Sequence, residues 1–225
     1  MKPFSVLMVC MGNICRSPMA ERLLRLRLAE RLGADAADLV VVHGAGTGGW
    51  HEGEPMHRQA AEEVLARGGD PAGFRARALT AAMLTDPAKD AGVPDPDDLL
   101  EEVPGADLVL TATIEQVAFV GELVPDAAAR TFVLGEFARL AALVEDDALP
   151  SADVPTRGRT LVAAADGLRD GPRYSDEVPD PWGRAPEYFS AVADQIDEAV
   201  TVLADKLADA QLADAQLADT QLADG

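Results

Sequence analysis

The apolar positions of this chain fall into short unbroken runs separated by stretches with a helical period. Phe4 to Val9 is apolar except at Ser5, the pattern of a strand covered on both faces. "SPMAERLLRLRLAERLG" follows a short loop. In it Ser17 suits an N-cap, Pro18 the first helical position and Gly33 a stop. Ala20, Leu24, Leu28 and Leu32 recur every four residues, with Leu23 beside them, and make one apolar face. Leu39 to Val42, Ala106 to Thr111 and Arg130 to Leu134 read as three more buried strands. Arg58 to Arg67 has a helical pattern, and a later helix carries the stripe Phe189, Val192, Ile196, Val200 and Leu203. Strands alternating with helices predict an α/β fold around a parallel sheet of four strands.

Three stretches stand outside that alternation. Asp86 to Gly105 is rich in proline and acid and reads as a loop or excursion. Glu145 to Glu177 holds "PSADVP" and "DGPRYSDE", with a short helix or strand near Leu161. The tail repeats "LADAQ", with leucines at 207, 212, 217 and 222. Five residues turn a helix by about 500°, so these leucines drift round it instead of lining up. The expected organisation is one domain over 1–205, with insertions near 86–105 and 145–177 and a frayed or disordered tail over 206–225.

Composition narrows the function. The chain has 225 residues, 39 acidic against 19 basic, and a formal charge of -20. That balance opposes non-specific nucleic-acid binding and adhesion to an anionic membrane surface. It permits an anionic small substrate, because a local cradle outweighs a distant field. No apolar run is long enough for a membrane helix. "MKPFSVLMVC" is too short for a signal peptide and lacks a cleavage site. The expected location is the cytoplasm, where Cys10 and Cys15, the two cysteines, remain thiols.

Both cysteines lie in "VCMGNICRSP", between the first strand and the first helix. A loop there points backbone N–H groups and the positive helix end at one spot. Gly12 lets the backbone approach a ligand closely. Cys10 stands at the strand end, where an N–H nest favours the nucleophilic thiolate. Arg16 offers a planar fork that matches two phosphate oxygens. Nucleophile, cradle and guanidinium together suit phosphoryl transfer through a cysteinyl phosphate. The plain alternative makes the cysteines small core residues and Arg16 a solvated charge. Zinc needs more ligands than two cysteines, and the Gly-Lys-Ser/Thr of a nucleotide loop is absent. "GAGTGG", Gly44 to Gly49, spaces its glycines like a dinucleotide loop, but no helix pattern follows it. His43, His51 and His57 are spread along the same region. No metal or cofactor is expected.

"VCMGNICRSPMAE" resembles the signature loop of the low-molecular-weight protein tyrosine phosphatases, a family related to arsenate reductases of the same fold. The resemblance extends from Pro3 to about Ala204, leaving aside the excursions and the tail. It implies a three-layer α/β/α fold of the phosphotyrosine phosphatase I type, with the phosphate loop after strand 1. It implies Cys10 as nucleophile and Arg16 as transition-state clamp. Met11, Gly12, Asn13, Ile14, Cys15 and Ser17 complete the loop. In it Asn13 holds the strained shape and Ser17 donates to the thiolate. "EVPDPWGR" resembles the family's Asp-Pro-aromatic loop, implying Asp180 as general acid, with Asp176 and Glu177 as weaker candidates. Trp50 and Trp182 stand where the family has aromatic walls that select flat leaving groups.

The implied activity is hydrolysis of phosphotyrosine in proteins, or of small aryl phosphates, without a cofactor. Bacterial members act beside a tyrosine kinase, so a cognate kinase is an implied partner. Phosphoarginine favours a narrower pocket without a bulky wall at Trp50. Two alternatives remain. An arsenate reductase would have to couple to a thiol cofactor, because no cysteine follows Cys15. A non-enzymatic phosphate or phosphotyrosine binder is suggested by departures from the family pattern at Gly44, His57, Phe74 and Thr113, although Glu21 is kept. Cys15 is either a buried structural thiol or a redox partner that closes a reversible disulfide with Cys10 under peroxide. The second role needs the two Cα atoms within about 7 Å.

Overall fold

The computed structural model describes residues 2–85, 105–150 and 153–208. Four parallel strands form one sheet in the order β2-β1-β3-β4. They are β1 (Phe4–Cys10), β2 (Val40–Gly46), β3 (Leu108–Thr111) and β4 (Thr131–Val133). Among the described residues seven α-helices surround them: α1 (Arg16–Leu32), α2 (Ala36–Leu39), α3 (Arg58–Ala66), α4 (Ile114–Leu123), α5 (Leu134–Ala141), α6 (Val154–Gly167) and α7 (Pro186–Leu207).

β1 is central and buried along its whole length, as its unbroken apolar run requires. Its alternation divides the core. Phe4, Val6, Met8 and Cys10 face a large cluster built with α1, α3, α5, α6 and α7. Leu7 and Val9 face a smaller one built with Leu84, Val120 of α4 and Ala127. The architecture is therefore three layers, helices on both faces of a parallel sheet. The stripe on α7 from Phe189 to Leu203 is buried throughout.

Several boundaries differ from expectation. β2 runs on through Gly44, Ala45 and Gly46, which pair with Met8, Val9 and Cys10. Their small side chains read as loop, yet they suit a strand pressed against another backbone. α1 begins at Arg16, with Cys15 before it and no side-chain cap. Ser17 is therefore not an N-cap, because its hydroxyl is turned to Cys10. Gly33 does end the helix, at φ 68°, in the left-handed region that glycine tolerates.

The region near Leu161 is a helix of 14 residues and not a short element. It lies so close to β1 that a Cβ at Gly158 would stand 2.8 Å from the Phe4 ring. α4 and α5 complete the alternation after β3 and β4. α4 opens with a capping box, in which Thr113 Oγ1 accepts from Gln116 N while Gln116 Oε1 accepts from Thr113 N. The excursion expected at Asp86–Gly105 lies outside the described residues except for Gly105, and so does the tail from 209. α7 continues past the expected domain end to a buried Leu207.

Candidate active site

β1 delivers Cys10 to the sheet's C-terminal edge, where parallel α/β folds bind ligands. The loop that follows curls back over the sulfur. Asn13 N donates to Cys10 Sγ at 3.3 Å, and Ser17 Oγ lies 3.0 Å from the same sulfur. Asn13 adopts φ 52°, the one non-glycine residue described in the left-handed region, a conformation asparagine tolerates better than most. Its side chain is fully buried and tied at both ends. Nδ2 donates to Ser17 Oγ at 2.8 Å, and Oδ1 accepts from Arg77 N at 2.9 Å.

The glycine-rich end of β2 seats this loop. Thr47 N donates to Cys10 O and Gly48 N to Met11 O, at 2.9 and 2.8 Å. A Cβ at Gly46 would stand 2.8 Å from Met11 O and 3.0 Å from Asn13 N. Only glycine lets the two backbones approach so closely. "GAGTGG" is thus a platform for the loop. His57 N adds a hydrogen bond to Ile14 O at 2.8 Å.

Arg16, the first residue of α1, is only 5% exposed. Nη1 donates to Val178 O at 3.3 Å, and Nη2 pairs with Asp180 Oδ2 at 3.1 Å. Asp180 is 45% exposed and also accepts from Trp182 N at 3.3 Å. The two weaker acid candidates are held elsewhere. Asp176 is buried against Arg139, and Glu177 Oε1 accepts from Ile114 N at 2.9 Å. Asp180 is the carboxylate of the three that lines the cavity over the loop.

That cavity measures about 200 Å³. Cys10, Met11, Gly12, Ile14, Cys15 and Arg16 form its floor, with Asp180, Trp50 and Trp182 around it. Asn13 and Ser17 support the floor from beneath. The indoles of Trp50 and Trp182 are 66% and 63% exposed, so both stand at the mouth and not in the core. His51 is a lining residue that the sequence did not single out for this site. Its Nδ1 is 2.7 Å from Glu54 Oε2, and its Cδ2 leaves a Cβ at Gly12 only 2.9 Å. Its place beside Trp50 was the available signal.

Cys15 is a buried free thiol. Burial pushes its pKa up to about 12, with the charges of Cys10 and Asp180 adding to the effect and Arg16 opposing it. It is a neutral thiol at physiological pH. Glu21 is buried, and burial raises its pKa although Arg25, 3.0 Å away, pulls the other way. A Cβ at Gly44 would stand 2.8 Å from Asn13 Nδ2 and 2.9 Å from Glu21 Oε2. A side chain at position 44 would therefore press on both. His57 stacks on Phe189 with ring centroids 5.1 Å apart, and Phe74 is buried under the Arg22 guanidinium. His43 is mostly buried, and burial together with Arg77 and Arg25 lowers its pKa to about 4. Among the described residues no group of three histidines, cysteines or acids could hold a metal ion.

Residues 5–88 match the family described as low molecular weight phosphotyrosine protein phosphatase. Over 52 residues the chain is 56% identical to the low molecular weight protein-tyrosine-phosphatase PtpA of Staphylococcus epidermidis, covering 23% of this chain and 31% of that one. Over 65 residues it is 49% identical to YfkJ of Bacillus subtilis, covering 29% and 39%. These matches span about a third of each relative's length. The crystal structure of YfkJ superposes with a TM-score of 0.58 at 24% identity, over 89% of this chain and 92% of that one. The YwlE arginine phosphatase of Geobacillus stearothermophilus superposes with 0.58 at 24% identity, over 91% and 93%. Over residues 5–88, which carry Cys10, Arg16 and Trp50, the chain is similar to the low molecular weight phosphotyrosine protein phosphatases, and its fold is that of the solved structures it superposes on.

Proposed function

We propose that the protein hydrolyses phosphotyrosine or aryl phosphate monoesters through a cysteinyl-phosphate intermediate. The observation that carries the reading is convergence: Cys10, Arg16 and Asp180 meet at one cavity of about 200 Å³, although Asp180 lies beyond the matched residues. The Cys10 sulfur receives the Asn13 N–H. Ser17 Oγ already accepts from Asn13 Nδ2, which leaves its hydrogen for the sulfur. Both contacts aim a hydrogen at the sulfur that acts as nucleophile in this reading.

In the first step Cys10 Sγ attacks phosphorus, and an S–P bond forms as the P–O bond to the phenol breaks. Arg16 and the loop N–H groups receive the charge of the equatorial oxygens. Asp180, entering as the carboxylic acid, gives its proton to the departing phenolate oxygen. In the second step the Asp180 carboxylate takes a proton from water as that water attacks the phosphocysteine. Phosphate leaves and the thiolate returns. Trp50 and Trp182 flank an aromatic leaving group. A cognate tyrosine kinase is the partner this reading implies, and free thiols suit the cytoplasm.

The test is a panel of phosphotyrosyl peptide, phenyl phosphate, phosphoarginine and arsenate with thiol cofactor. It is run on wild type, Cys10→Ser and Asp180→Ala. The aryl esters should turn over fastest, Cys10→Ser should be inactive, and Asp180→Ala should lose about 10²–10⁴-fold. Turnover by Cys10→Ser at the wild-type rate would refute the reading.

A further inference from the structure

The stretch that carries Asp180 is anchored residue by residue. Asp176, 6% exposed, faces the Arg139 guanidinium with both oxygens, Nη2 to Oδ2 at 3.1 Å and Nε to Oδ1 at 3.4 Å. Its Oδ2 also accepts from Arg173 N at 2.8 Å. Glu177 is held at both ends. Ile114 N donates to its carboxylate at 2.9 Å and Gln195 Nε2 to its carbonyl at 2.8 Å. Val178 N donates to Ala112 O at 2.8 Å, and Val178 O accepts from Arg16. Two residues later the chain reaches Asp180.

Arg139 is the hub of the outer end. From α5 it also donates to Asp170 Oδ1 at 3.0 Å and to Gly171 O at 3.4 Å. It thereby joins the segment after α6 to the acid-bearing loop. The backbone gives this contact no slack, because a Cβ at Gly135 would stand 2.5 Å from Asp176 O. Glu136, fully buried on the same helix, is a third carboxyl near Arg139 besides Asp176 and Asp170. Burial raises its pKa although Arg169 and Arg139 oppose the effect, and its Oε2 accepts from Val133 N at 3.3 Å. Of the other cations of the cluster, Arg169 pairs with Asp166, and Arg173 shares Asp170 with Arg139.

We propose that Arg139 is a positioning residue for the acid step, holding Asp176 so that the loop presents Asp180 to the leaving oxygen. Arg139 is not among the residues that line the cavity. Its loss should leave nucleophile and clamp intact while misplacing the acid. This inference rests on the phosphatase reading. The effect should grow with the basicity of the leaving group, because a poor leaving group needs the proton and a good one does not.

The experiment is a series of aryl phosphates, from 2,4-dinitrophenyl to phenyl phosphate, with wild type, Asp180→Ala, Arg139→Gln and Arg139→Lys. Inhibition by inorganic phosphate is measured on each. Arg139→Gln should lose about tenfold in kcat/KM on phenyl phosphate but stay within about twofold on the dinitrophenyl ester. Its phosphate inhibition should be that of wild type, and Arg139→Lys should recover part of the loss. A uniform loss across the series, or none, overturns the proposal. Should Arg139→Gln fail to bind phosphate, Arg139→Lys decides alone: a loss confined to basic leaving groups supports the role, and any other pattern overturns it. No turnover by wild type would sink the phosphatase reading and this inference together. A steepened series for Asp180→Ala beside a wild-type series for Arg139→Gln would sink this inference alone.

Discussion

Replacing Asp180 by asparagine should separate anion binding from turnover, in opposite directions. The Arg16 guanidinium meets the Asp180 carboxylate at 3.1 Å. An arriving phosphate must therefore take the guanidinium from a charged competitor. Exposed ion pairs are worth about 0.2–1 kcal/mol, and hydrogen bonds to charged groups about 1.5–3 kcal/mol. This pair joins a buried cation to a carboxylate that is 45% exposed, which places it at about 1–2 kcal/mol. Releasing that competition should tighten phosphate binding by about 5–30-fold. Asparagine keeps an oxygen for the Trp182 N–H, so the turn should survive. Turnover of phenyl phosphate should nevertheless fall by about 10²–10⁴-fold, because an amide has no proton to give. Calorimetric titration with inorganic phosphate and steady-state assays on the same protein measure both. Phosphate binding that is unchanged or weaker in Asp180→Asn would refute the reasoning.

The remaining predictions concern the surroundings of the loop. Cys15, held as a thiol by a pKa of about 12, should close a disulfide with an oxidised Cys10 slowly, and faster as pH rises. After peroxide and then reductant, wild type should recover more activity than Cys15→Ala, and equal recovery would remove the protective role. His43 is neutral in the fold down to about pH 4, whereas the unfolded chain protonates it near 6.5. The unfolded state then binds more protons, so stability is complete above pH 6.5 and falls by about 2–3 kcal/mol toward pH 4. Urea unfolding of His43→Gln should show a flatter pH dependence, and parallel curves for the two proteins would contradict this. Gly44→Ser should force Asn13 or Glu21 aside, at about 1–3 kcal/mol of stability, and should slow turnover. A faster enzyme would show that the serine fits.

The parts of the fold legible in the sequence are those whose burial is written locally. β1 is a continuous apolar run, and α1 and α7 carry stripes that match their buried faces. α6 was obscured by Pro155 and Gly158, poor helix residues judged alone. Proline is tolerated in the first turn, and the glycine admits the Phe4 ring, a contact invisible without the tertiary structure. α5 is only eight residues long, too short for periodicity to speak. The capping box that opens α4 was readable as Thr-x-x-Gln.

Cys10, the loop that follows it and Arg16 were legible as one candidate site because they are contiguous. Asp180 came from resemblance, since a Pro-Asp-Pro turn says nothing by itself about what it faces. His51 was missed for a related reason. Its place over Gly12 depends on how the segment after β2 folds back on the loop. Asp176 and Glu177 looked like acids because the sequence shows charge but not partners. The structure gives both partners and makes them anchors.

The departures at Gly44, His57, Phe74 and Thr113 suggested a loosened loop, and with it a protein that binds phosphate without turning it over. The contacts argue otherwise. Asn13 Oδ1 is held by the Arg77 backbone, Ile14 O by the His57 backbone, and Cys10 O and Met11 O by the backbones of Thr47 and Gly48. A backbone N–H makes its hydrogen bond whatever side chain it carries. His57 therefore holds the loop through its backbone, whatever its side chain. Thr113 caps α4 one residue before Ile114 N, the donor that anchors Glu177. Its substitution thus falls within the support of the acid loop and outside that of the nucleophile. The altered side chains leave the backbone scaffold of the cradle whole, so the non-enzymatic reading loses the feature that motivated it.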